Sequence, residues 1–158
     1  MTFTPTEQHQ LKSVDEIKEA FKKKGLKLTH QRLEILNELV NSDNHPDAET
    51  IYMGVRDRLP TVSLDTVYRT LWMLLDFGLI NTLGPSLTKL RFDGNTQPHH
   101  HFICRECSQI YDFQSPELDN LKVPDIISNI GQGERIDVEI KGLCHNCLNK
   151  KYGLNEQT

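Results

Sequence analysis

The chain has 158 residues, 37% hydrophobic and 25% charged, with a formal net charge of −4. That is enough apolar content for one or two modest cores, so a disordered chain is excluded, and so is a generally basic protein that coats nucleic acid; local patches must decide any DNA contact. No apolar run approaches the ~20 residues that span a bilayer and the N-terminus lacks an apolar signal core, which implies a cytoplasmic protein with no membrane partner and with reduced cysteines.

Residues 1–13 are polar and aperiodic and are expected to form a loose arm, in which His9 has no assigned role. Val14, Ile17, Ala20 and Phe21 recur at helical spacing before Lys22-Lys23-Lys24 and a Gly25 stop. Thr29 is placed to cap a second helix with an inward stripe of Leu33, Leu36, Leu39 and Val40. A third helix starts near Asp47, carries Ala48, Ile51, Val55 and Leu59, and should stop at Pro60. Ser63 caps a fourth, with Val67, Leu71, Leu74 and Leu75 inward and Gly78 at its end. Its other side shows Asp65, Thr66, Tyr68, Arg69 and Trp72, more than a core can absorb. Leu79–Leu83 and Lys89–Asp93 then read as two strands turning at Gly84-Pro85.

Short helices followed by a hairpin predict a winged helix-turn-helix. Its fourth helix would enter a major groove with Thr66, Tyr68 and Arg69, while Lys89 or Arg91 would meet phosphate from the wing. Asp65 works against phosphate there. A winged helix used only for protein contacts is the alternative that fold alone leaves open.

Cys104 and Cys107 form one knuckle and Cys144 and Cys147 a second, with no cysteine left over. Four thiolates complete one tetrahedral Zn2+ shell, tying distant segments together. If residues 98–104 form a strand, its period of two puts His99 and His101 on one face and His100 on the other. Gln109–Phe113 alternates again, so Asp112 can return a carboxylate to the same place. Ser115-Pro116-Glu117 reads as a helix start with Leu118 and Leu121 inward, ended by Pro124. Ile126, Ile127 and Ile130 suggest a second helical piece, and Ile136, Val138 and Ile140 a strand leading into the second knuckle. The tail beyond Lys150 is polar. His30, His100 and His145 are expected to be solvated or to support ligands without being ligands.

His45-Pro46, the run Thr66-Val67-Tyr68-Arg69-Thr70-Leu71, Arg91-Phe92-Asp93, the run from His99 to Cys107, and Cys144-His145-Asn146-Cys147 occur in an order similar to that of the ferric uptake regulator (Fur) family. The resemblance spans about residues 14–148. It implies an α+β protein: a winged-helix DNA-binding domain at 1–93, and at 94–158 a C-terminal α/β dimerisation domain with a structural zinc site. It also implies a homodimeric, metal-dependent repressor that binds an inverted-repeat double-stranded operator. Carried over residue by residue, Cys104, Cys107, Cys144 and Cys147 match the structural zinc ligands. His45, Asp93, His99, His101 and Asp112 match the regulatory ligands, a set suited to Fe2+ or Mn2+.

Within the family the chain looks like the peroxide-sensing PerR branch, because aspartates occupy positions 93 and 112. Pro98 and Ile136 stand where an additional metal site of the iron-sensing branch has histidines, and Asp119 alone does not rebuild it. In the peroxide-sensing branch, histidines matching His45 and His99 are the ones oxidised. Ser108 departs from the glycine usual after the first knuckle. The alternatives are a reversible iron- or zinc-responsive regulator with the same ligands, a thiol–disulfide oxidoreductase, and a zinc-ribbon adaptor without DNA. No hydrolytic constellation or phosphate-cradling glycine loop is present, so no enzyme is expected.

Overall fold

The computed structural model describes residues 14–42, 44–86 and 89–153; the expected N-terminal arm, His9 and the tip of the wing lie outside them. The described chain divides into two compact units, residues 14–96 and 97–153.

The first unit holds four helices and a hairpin: α1 Val14–Lys23, α2 His30–Val40, α3 Ala48–Arg56, α4 Leu64–Asp76, β1 Asn81–Ser86 and β2 Lys89–Asp93. The helix starts follow local chemistry. Thr29, Asp47 and Ser63 each accept a hydrogen bond from the backbone N–H three residues on, at Arg32, Thr50 and Thr66. Gly25 and Gly78 end α1 and α4 with φ of +65°, a conformation that glycine adopts without steric cost. Ile17, Phe21, Ile35, Leu36, Leu39, Ile51, Val55, Val67, Leu71, Leu74, Ile80 and Phe92 make one continuous core. Ile35 joins that core although the stripe expected for α2 does not include it. Two boundaries differ from expectation: α3 ends at Arg56, ahead of Pro60, and Gly84-Pro85 lies within β1 and is not its turn. The β1–β2 register shifts between Leu83 and Ser86, which is how the antiparallel pair accommodates that irregular stretch.

The second unit is a three-stranded sheet in the order β4-β3-β5 with short helices around it. β3 is His100–Cys104, β4 Ile110–Phe113 and β5 Glu139–Gly142, with β3 antiparallel to β4 and parallel to β5. Helix α5 (Pro116–Asp119) and a 3-10 turn at Asp125–Asn129 precede β5, and α6 (His145–Tyr152) follows it, closed by Gly153 at φ +63°.

Here several expectations fail. The helix at Pro116 is one turn long and buries nothing; Leu121 is exposed, and so are Ile126 and Ile130, the latter 81% accessible. Ile136 and Val138 precede the strand, which begins only at Glu139. The reason is common to all: this unit offers little apolar surface within one chain for those side chains to cover. Its buried cluster is Cys104, Cys144 and Cys147 with Phe102, Tyr111 and Leu143 packed against them.

Candidate metal centres and nucleic-acid face

Parallel pairing of β5 with β3 places Gly142 opposite Cys104, two residues ahead of Cys144. A Cβ at Gly142 would sit 3.1 Å from the Phe102 ring, so a larger residue there would require that ring to shift by a few tenths of an ångström. The first knuckle closes with Ser108 N–H donating to the Cys104 carbonyl at 2.9 Å; Arg105 N–H donates to the Gly142 carbonyl at 2.8 Å. Ser108 sits at φ +59°, so the residue that replaces a glycine carries the left-handed backbone a glycine would adopt freely.

The four sulfurs lie within 4.8 Å of one another, and Cys107 Sγ is 3.8 Å from Cys144 Sγ. A tetrahedron with Zn–S bonds of about 2.3 Å has edges of about 3.8 Å, whereas a disulfide needs about 2.05 Å. All four cysteines are free thiols. Burial pushes the Cys104 thiol up, but N–H groups of Cys107, Cys144 and Glu106 outweigh it and bring it down to about 6. The Cys147 N–H likewise lowers Cys144. Cys147 is driven to about 12 by burial and by the neighbouring thiols. Four thiolates this close repel one another unless a cation joins them, and a dication is the natural occupant. The donor set fits zinc.

Each unit also holds imidazole and carboxylate donors. In the first, His45 Nε2 lies 3.7 Å from Asp93 Oδ1, and both side chains are buried. Asp93 is the last residue of β2, and its Oδ1 accepts from Asn95 N–H at 2.8 Å. In the second unit, His99 and His101 stand edge to face with ring centroids 4.5 Å apart. Asp112, the cross-strand partner of His101, brings its carboxylate within 3.3 Å of His101 Nε2 and 3.8 Å of His99 Nε2. The Gln97 carbonyl accepts from His99 Nδ1 at 2.6 Å, which leaves Nε2 as the ring nitrogen with a lone pair for a metal. Imidazoles and carboxylates of this kind fit a borderline-to-hard divalent ion.

His100 points the other way, as the strand period requires. It is buried, pairs through Nε2 with Asp119 Oδ1 at 2.9 Å, and packs near Phe113. Of the two roles expected for His100, burial removes the solvated one, and it stands outside both donor clusters with Asp119 holding its ring. Among the described residues no third metal-type donor gathers with this pair.

On α4 the outward side carries Asp65, Tyr68, Arg69 and Trp72, all exposed, with Thr66 beside the N-cap. Asp65 lies in the first turn, where a carboxylate suits the positive end of the helix dipole, and it accepts from Arg69 Nη2 at 2.6 Å. On β2, Lys89 pairs with Glu49 and with Asp47 at 3.4 Å, and Arg91 donates to the backbone carbonyls of Asn44 and His45. Both wing cations are thus engaged within their own unit, a role with no signal in the local sequence because those partners lie 40 or more positions away.

The profile of the Ferric uptake regulator family matches residues 23–131. The chain is 33% identical over 144 residues to the peroxide-responsive repressor PerR of Staphylococcus epidermidis, covering 87% of this chain and 95% of that one. The ferric uptake regulator Fur of Helicobacter pylori, whose structure reveals three functional metal-binding sites, superposes with a TM-score of 0.67 at 29% identity, covering 88% of this chain and 94% of that one. PerR from Streptococcus pyogenes, described for its peroxide sensing and gene regulation, superposes at 0.51 with 26% identity over 90% and 97% of the two chains.

Proposed function

The chain belongs to the ferric uptake regulator family, and we propose that it is a metal-dependent transcriptional repressor whose second metal site senses peroxide. One observation carries the metal dependence: beside the four-thiol cluster, Asp112 gathers the Nε2 atoms of His99 and His101 on one face of the sheet. This donor set is chemically unlike the thiols and suits a different ion. His45 and Asp93 complete the regulatory ligands; Asp93 and His99 are six positions apart, so the chain between them spans at most about 20 Å. An ion shared by all five would fix the winged-helix domain, residues 1–93, against the dimerisation domain, residues 94–158.

The exposed apolar side chains Leu121, Val123, Ile126, Ile130 and Ile140 support a second copy of the chain as the partner of the C-terminal domain. A two-fold dimer presents two α4 helices, which suits an inverted-repeat operator read by Thr66, Tyr68 and Arg69, with Lys89 and Arg91 on the wing. A cytoplasmic location fits this role, and no helix among the described residues is long and apolar enough to cross a membrane.

Peroxide sensing is supported by the PerR relatives and by the two aspartates at 93 and 112. Held by these residues, Fe2+ would activate peroxide for cleavage of its O–O bond, whereas Mn2+ is harder to oxidise and would not. The chain's part is to hold His45 and His99 where either imidazole can serve as the two-electron reductant: one peroxide oxygen enters a ring C–H bond and the other leaves as water. An oxidised imidazole is a poorer donor, so the ion is lost and the two domains are no longer held for DNA. The test is fluorescence anisotropy of a labelled inverted-repeat duplex with zinc-loaded protein, with and without Mn2+. Binding only with Mn2+ supports the reading; equal binding without it rejects metal control.

A further inference from the structure

The strand β2 grips the loop ahead of α3 at several consecutive points. Arg91 donates from Nε to the carbonyl of His45 and from Nη2 to that of Asn44, the latter at 2.5 Å. The next residue, Phe92, donates its N–H to the Pro46 carbonyl at 3.0 Å. Lys89 adds ion pairs to Asp47 and Glu49 at the start of α3. Three successive carbonyls, those of residues 44, 45 and 46, are therefore fixed by two adjacent residues of one strand.

The backbone held in this way is not one that histidine prefers. His45 has φ of +44°, in the left-handed region that costs a non-glycine residue about 1–2 kcal/mol. Such a conformation persists only where surrounding contacts over-determine it. A guanidinium is well shaped for such a clamp, because its planar fork presents two N–H groups in fixed geometry to two neighbouring oxygens, which the single ammonium of a lysine does not. Two residues further along β2 is Asp93, whose carboxylate faces the His45 imidazole at 3.7 Å. One strand thus carries both the carboxylate and the clamp that sets the imidazole opposite it.

We propose that Arg91 is a positioning residue for the regulatory ion: by clamping the carbonyls of Asn44 and His45 it holds the His45 imidazole against Asp93 and ties the wing to that site. The proposal rests on the reading of His45 and Asp93 as ligands. It gives Arg91 a function within the domain before any phosphate is met. Metal binding and wing geometry become linked through one side chain, so loss of the ion would loosen the strand that carries the wing.

The test uses full-length protein loaded with one zinc per chain, without DNA. Mn2+ is titrated into the wild type, Arg91→Met and Arg91→Lys, with free Mn2+ read by electron paramagnetic resonance. Hydrogen–deuterium exchange of residues 44–48 is measured before Mn2+ is added. Loss of the clamp should weaken Mn2+ binding by roughly 10–100-fold in Arg91→Met, the range seen when groups that orient a ligand are removed. Arg91→Lys should lie between it and the wild type, with zinc content and melting midpoint retained and exchange at the loop raised in both variants. If Arg91→Met binds Mn2+ as tightly as the wild type with unchanged exchange at residues 44–48, Arg91 does not position the site and the proposal is overturned. Should Arg91→Met fail to fold, Arg91→Lys decides by the same two readouts. A wild type that takes up no Mn2+, or a His101→Ala variant that takes it up as well as the wild type, would remove the regulatory reading itself and the clamp with it.

Discussion

The two donor sets of this protein differ in hardness and in where the chain supplies them. The four thiols come from two knuckles of one unit; Cys104, Cys144 and Cys147 form its buried cluster, and Cys107 lies exposed at its edge. The proposed imidazole–carboxylate set draws on both units, and its His45 and Asp93 border a winged-helix unit with an extensive apolar core of its own. A site that replaces a core is structural, because removing its ion removes the reason to be folded. A site whose members border a fold that stands without it is free to be filled and emptied, which is what regulation requires.

The largest effect expected from this contrast is at the thiols. Cys104→Ser should abolish stoichiometric zinc and unfold the C-terminal unit, since structural zinc contributes on the order of 10 kcal/mol to small domains of this kind. Zinc analysis and a melting curve check this together; full zinc and a native melt would make the two sites equivalent. Asp112→Asn should instead leave zinc and melting unchanged while Mn2+ affinity falls by about 100-fold or more, read by titration of zinc-loaded protein. If it unfolds the protein, the second site is structural too. Arg69→Ala should weaken operator binding and reduce the magnitude of the salt slope by about one per protomer, while Lys150→Ala has a smaller effect. Equal loss from both would move the DNA face away from α4. The smallest effect is at Ser108, where Ser108→Gly should stabilise the zinc-loaded protein by about 1 kcal/mol by relieving its left-handed backbone. Thermal unfolding monitored by circular dichroism reads this as a rise in melting midpoint.

The same contrast governs what is legible in the sequence. Thr29, Asp47 and Ser63 announce their helices because capping is decided within three residues. The inward stripe of α4 is readable because its core lies in the same unit. The stretch after Ser115 misleads, because Leu121, Ile126 and Ile130 look like inward faces and find nothing in their own chain to face. Cysteine spacing exposes the thiol cluster directly. For the second set, strand period pairs His99 with His101, but His45 and Asp93 come only from family resemblance. Neither the positive φ of His45 nor its clamp by Arg91 has a local signature; both arise where β2 crosses a loop some 46 positions earlier in the chain.

The most direct measurement is a peptide map by mass spectrometry of Fe2+-loaded and Mn2+-loaded protein, each carrying its zinc, after brief exposure to peroxide. A peroxide sensor of this kind should gain one oxygen atom on His45 or His99 in the iron protein alone, with Cys104, Cys107, Cys144 and Cys147 unmodified and operator binding lost in proportion. Unmodified histidines with DNA binding retained, or oxidation falling on the cysteines, would contradict it.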